Sequence, residues 1–118
     1  MSTMALVEGP NGVVAAWDTD GQIYFANVKP GTNEFTKPRS APGPGSARKH
    51  PALAVNARGE MILVWTEGTG WQKGGALAWQ VFDAAGEAAG EKGRMDRGIP
   101  VWGLPTVLAT SAGFTIIH

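Results

Sequence analysis

One feature constrains this chain more than any other: a unit of apolar strand, small polar turn and apolar strand occurs three times. The first copy runs from Leu6 to Trp17 around the turn Gly9-Pro10-Asn11-Gly12. The second runs from Leu53 to Trp65 around Asn56-Ala57-Arg58-Gly59. The third runs from Val107 to His118 around Thr110-Ser111-Ala112-Gly113. The copies start at Leu6, Leu53 and Val107, so the periods are 47 and 54 residues. Most of the difference is a longer connection at 66–75. Each strand run is almost continuously apolar, which suits strands covered on both faces.

Between copies the pattern repeats. Asp18-Thr19-Asp20-Gly21 is a hairpin turn, because Asp-Gly accepts the positive backbone angles such a turn needs. Gln22–Val28 reads as a third strand. Glu34–Lys37, around Phe35, reads as a weak fourth. Residues 38–49, rich in Pro, Gly, Ser and Ala, read as a crossing loop. In the second copy, 76–82 is the third strand and 91–96 the weak fourth. Seventeen Gly and eight Pro leave little room for helices. The one stretch with helix formers, 84–91, is interrupted by Gly86 and Gly90 and has no apolar stripe.

Four strands at a period near fifty indicate a β-propeller blade. A blade cannot bury both faces alone and must stack on neighbours. The expected fold is all-β: β-propeller blades, two four-stranded and antiparallel, plus a two-stranded half-blade. The single partial domain spans 1–118, with blades at 4–38 and 50–96 and a half-blade at 104–118. A ten-strand β-sandwich is the competing architecture, but it gives no reason for a threefold repeat. The half-blade has an uncovered strand edge, so the expected partners are the remainder of a larger propeller or further copies of the chain.

Charged residues are 17% of the chain, less than usual for a solvated surface, and the net charge is zero. A balanced charge gives no footprint for nucleic acid or an anionic membrane, and no apolar run is long enough to span a bilayer. Neither partner is expected. No cysteine is present, so disulfides and thiolate metal sites are excluded. The start, Met1-Ser2-Thr3-Met4, lacks the basic and apolar regions of a signal peptide, and the compartment stays open.

In a four-stranded blade the connections from strand two to strand three share an end with the loops entering strand one. That end collects Asp18, Asp20, Glu67, Trp71, Lys73, Arg48, Lys49, His50 and Trp102. Trp71 and Trp102 are either stacking platforms for a sugar or wedges between blades. Trp17, Trp65 and Trp79 read as blade packing. Arg48-Lys49-His50 reads as a solvated basic cluster. The candidate ligand-binding residues are therefore Trp71, Trp102, Glu67, His50, Asp18 and Asp20. Two isolated histidines do not make a metal site, and Asp18 with Asp20 lacks the further oxygens that calcium needs. No cofactor and no metal is expected. The glycine-rich 68–75 is not followed by a helix, so it is no phosphate loop.

Lys49–Asn56, Trp65–Gly75 and Pro100–Gly103 together resemble the C-terminal part of sialidase-like propeller proteins of the Asp-box type, a largely bacterial, planctomycete-like group. The resemblance covers nearly the whole chain. It implies a propeller and, since such proteins are often exported, a location outside the cell if the chain is part of a longer member. A sialidase also needs an arginine cluster and a tyrosine nucleophile. Here Tyr24 is the sole tyrosine and lies mid-strand, and Thr19-Asp20-Gly21 lacks the Trp of a well-formed Asp-box. A glycosidase needs two carboxylates about 5 to 10 Å apart, and Asp18, Asp20 and Glu67 qualify only by sharing an end. No catalytic residue is assigned, and no enzymatic activity is expected. The expected function is a noncatalytic propeller module for assembly or ligand binding. The alternatives are a lectin-like glycan-binding module and, more remotely, part of a glycoside hydrolase.

Overall fold

The computed structural model describes residues 4–29, 31–43, 45–69, 74–100 and 103–118. These residues form three antiparallel sheets and no helix. The first sheet has strands β1 (Met4–Gly9), β2 (Gly12–Thr19), β3 (Gln22–Asn27) and β4 (Arg39–Ser40), in that order. The second has β5 (Arg48–Val55), β6 (Met61–Glu67), β7 (Gly75–Phe82) and β8 (Ala88–Ile99). The third pairs β9 (Thr106–Thr110) with β10 (Gly113–Ile117). Each sheet is an open meander, and none closes on itself.

The turns follow from their residues. Thr19 pairs with Gln22, leaving the two-residue turn Asp20-Gly21, both at positive φ (50° and 78°). That geometry matches the right-handed twist of the flanking strands. The β5–β6 and β7–β8 turns use one device: the Oδ1 atoms of Asn56 and Asp83 each accept two backbone N–H groups across the turn. A short side chain thereby replaces a backbone acceptor.

The three sheets stack face to face, with the second in the middle. All seven residues of β6 are buried. Because side chains alternate across a strand, Met61, Leu63 and Trp65 meet Val14, Ala16, Ile23 and Phe25 of the first sheet. Ile62 and Val64 face the other way and meet Val107, Ala109, Phe114 and Ile116 of the third. The sheets approach most closely at β5, which lies against β1, β2 and β3 on one side and β9 on the other.

The structure corrects several expectations. The fourth strand of the first sheet is not 34–37 but Arg39–Ser40, paired with Phe25 and Tyr24. Phe35 is 51% exposed and makes only an isolated bridge to Val28, so no burial holds 34–37 as a strand. The Arg39 guanidinium instead anchors the chain, lying 5.0 Å from the Phe25 ring and 5.5 Å from the Phe82 ring. The crossing loop 38–49 accordingly contains strand at both ends. The last strand of the second sheet runs to Ile99, beyond the expected 96. Residues 84–91 form a turn followed by strand, with no helical turn.

Candidate functional site

At one end of the stack the β2–β3 turn, the loop leading into β5 and the end of β6 come together. The Arg48 amide donates to the carbonyl of Gly21 at 2.9 Å, and the Gly68 amide to that of Ala47 at 3.0 Å. The first bond ties the first sheet's turn to β5, and the second extends the β5–β6 pairing past its strand ends. Inside this junction Arg48 is 2% exposed. It is therefore not part of a solvated basic cluster. A buried guanidinium needs acceptors for its donors, and Arg48 has four. Its Nε donates to Glu67 Oε2 at 3.0 Å, Nη1 to Gln22 Oε1 and the Ala41 carbonyl at 2.9 Å each, and Nη2 to the Pro42 carbonyl at 2.7 Å. The guanidinium also lies 5.0 Å from the Trp65 ring.

Glu67 is 7% exposed. Its carboxylate accepts from Arg48, from the Trp65 indole at 2.9 Å and from Arg94 Nη1. Burial by itself would raise the Glu67 pKa; hydrogen bonds from Trp65 and Arg94, and the charges of Arg94 and Arg48, outweigh it and hold the group below the usual carboxylate range. Arg94 is half-exposed and also binds Asp96 at 2.9 Å. Gln80, buried on the same face, donates to the carbonyls of Ala89 and Glu91 beside a bulge in β8.

Above this cluster lies a cleft of about 870 Å³. Its lining includes Arg48, Trp65 and Glu67, Lys92 and Arg94, and the loop around Ser46. The loop's small residues leave the space: a Cβ on Gly45 would sit 2.4 Å from Glu67 Oε2. A second cleft of about 880 Å³ lies by the turns at the other end, between Asn11, Gly59 and the Arg39–Phe82 cluster.

Of the residues singled out from sequence, Glu67 is in the cleft and Asp18 is buried at the end of β2. Asp18 Oδ2 accepts from the backbone amide of His50 at 3.3 Å. His50 sits at φ 56° in a one-residue irregularity between Lys49 and Ala52. Its Nδ1 is buried and finds no partner among the described residues. Burial lowers the His50 pKa, Asp18 opposes the shift, and Lys49 adds to it. Asp20 is exposed and serves its turn. Trp71 and Trp102 lie outside the described residues. Trp65 packs between sheets, whereas Trp17 and Trp79 are half-buried. Trp17 stacks on Tyr24 at 6.3 Å, and Trp79 lies over Gly93.

Sequence reasoning missed Arg48 and Arg94 as partners of Glu67, and Gln22 as an acceptor for Arg48. Counting outward from the β5–β6 turn would place Lys49 opposite Glu67. The irregularity at His50 shifts the register by one, and Arg48 takes that place. Chemically, the cluster is a densely hydrogen-bonded ion pair beneath an accessible cleft, suited to holding a polar ligand on Arg94 and Lys92. It is poorly suited to giving or taking a proton through Glu67, whose carboxylate already accepts three hydrogen bonds and whose pKa is low. Among the described residues no cluster of three or more metal-ligating side chains occurs. No family model, curated protein or solved structure matches the chain.

Proposed function

We propose that this chain is a noncatalytic β-propeller module, its four-stranded sheets serving as two blades and β9–β10 as the inner half of a third, with assembly as its role. One observation carries this reading: all three strand pairs keep the same polarity. In each, the residues at the positions of Val13, Met61 and Phe114 share one face, and in the second and third sheets that face meets the sheet before it in the chain. Repeating units that bury their faces only against neighbours are the logic of blades. The closest approach of the sheets at β5, a first strand, supports a radial arrangement, and so does the resemblance to sialidase-like propellers.

Catalysis is disfavoured by Glu67. A glycosidase acid needs a raised pKa, and this carboxylate is held low. The test is incubation with chromogenic glycosides, sialosides included. No turnover above background is expected. Turnover that disappears in Glu67→Gln or Asp18→Asn would overturn the noncatalytic assignment.

A second reading, glycan binding, is favoured by the cleft of about 870 Å³ with Lys92 and Arg94 at its side. On a glycan array it predicts binding that Arg94→Ala weakens; binding that survives both Arg94→Ala and Lys92→Ala would place the ligand elsewhere.

A further inference from the structure

We infer that a second copy of this chain docks head to tail, the free face of β9–β10 against the free face of the first sheet. The inference rests on the blade reading above. The molecule already makes the required interface twice. Call the front of each sheet the face toward the preceding sheet, and the back the face toward the next. In the second sheet the front carries Leu53, Val55, Met61, Leu63 and Trp65, and the back carries Ala52, Ala54, Ile62 and Val64. The back of the first sheet (Ala5, Val7, Val14, Ala16) meets the front of the second. The back of the second meets the front of the third (Val107, Ala109, Phe114, Ile116).

Two faces of this series are left over, one front and one back. The free front carries Met4 and Leu6 on β1, with Trp17 and Tyr24 beside them across the strands. Met4 is 64% and Leu6 65% exposed, while Ala15 and Ala26 beneath are already buried. The free back carries Leu108 and Ile117, 45% and 51% exposed, among Thr106, Thr110 and Thr115. Glu8, on the front beside Leu6, is the one charged residue among the described strand positions of the two faces. In repeat register Leu6 stands where Leu53 stands in the second sheet, and Trp17 where Trp65 stands. The free front is thus continuous in kind with an interface that is buried inside the molecule.

The two free faces lie at opposite ends of a three-sheet stack, so one chain cannot bring them together. Between molecules of this chain, a front meets a back on another copy. Such a contact is heterologous and propagates until a ring closes or a filament grows.

Sedimentation velocity on the full chain, from about 1 to about 100 µM, tests this across the range where interfaces of transient strength populate. Wild type is expected to gain mass with concentration. Leu6→Asp destroys the front and Ile117→Asp the back; each alone is expected to stay monomeric, with association weakened at least about tenfold. An equimolar mixture of the two still holds one good front and one good back, and is expected to form a heterodimer and nothing larger. A wild-type monomer throughout, a variant that self-associates like wild type, or a mixture without heterodimer would each overturn the proposal. Circular dichroism checks the fold. Should either Asp variant unfold, Met4→Glu and Thr115→Glu, both at exposed positions, make the same pair. The sedimentation result is independent of the glycoside assay, so failure of one is distinguishable from failure of the other.

Discussion

Replacing Arg48 with Met is the sharpest test of how the two larger sheets are joined. Arg48 reaches Gln22, Ala41 and Pro42 of the first sheet's side and Glu67 of the second. Met keeps the aliphatic stem and removes all four hydrogen bonds together with the guanidinium over the Trp65 ring. Deleting one member of a buried ion pair costs about 3–5 kcal/mol. Glu67 keeps Arg94 and Trp65, which argues for the lower end of that range. The Ala41 and Pro42 carbonyls lose their donor, at about 1 kcal/mol each. The expected loss is therefore about 5 kcal/mol in total. A domain of this size has about 5–15 kcal/mol to lose, and the loss corresponds to a fall in Tm of about 20 °C. Urea unfolding followed by tryptophan emission measures it. The control is Arg94→Met, which removes a half-exposed partner of the same carboxylate and is expected to cost about 1 kcal/mol or less. A loss below about 1 kcal/mol for Arg48→Met, or an equal loss for the two variants, would refute the claim that the buried arginine joins the sheets.

Two further outcomes follow from the same geometry. The Glu67 pKa is lower in the folded chain than in the unfolded one, so its stabilisation is full above the unfolded value and is lost as pH falls through the folded value. Glu67→Gln is therefore expected to be less stable than wild type at neutral pH, and the gap in urea midpoints to close in acid; a gap independent of pH would contradict the assignment. On β8, a Cβ at Gly93 would lie 2.2 Å from the Trp79 ring, whereas one at Gly90 meets nothing within 4 Å. Gly93→Ala is expected to cost about 1–3 kcal/mol and to shift tryptophan emission, while Gly90→Ala stays within about 0.5 kcal/mol of wild type; thermal melts that rank them otherwise count against the packing of Trp79 on this glycine.

Much of the architecture was legible in the chain because it is local. Asp20-Gly21 announces its hairpin through backbone freedom. The unbroken apolar run Met61–Trp65 announces a strand covered on both sides, and β6 is an inner strand of the middle sheet, with every residue buried. The edge strand was misplaced because nothing local distinguishes Phe35, whose ring stays exposed, from Arg39, whose position depends on two rings brought together from different sheets.

The candidate site was legible only in part. The end of the stack was identified correctly for Glu67 and Asp18, since connection order alone dictates which turns share an end. The partners were not. Arg48 looked like one of three basic residues in a loop, and a solvated cation is the ordinary fate of such a residue.

The sequence by itself determined the repeat, the alternation that gives each strand pair a front and a back, and the turns that join the strands. Those depend on backbone sterics and on a period of two, which neighbouring residues set among themselves. Only the tertiary structure decided that His50 shifts the register by one, that Arg48 rather than Lys49 consequently meets Glu67, and that the stack leaves one apolar front and one apolar back uncovered. Those outcomes depend on how sheets far apart in the chain pack, because a buried charge is held only where acceptors from several segments converge on it.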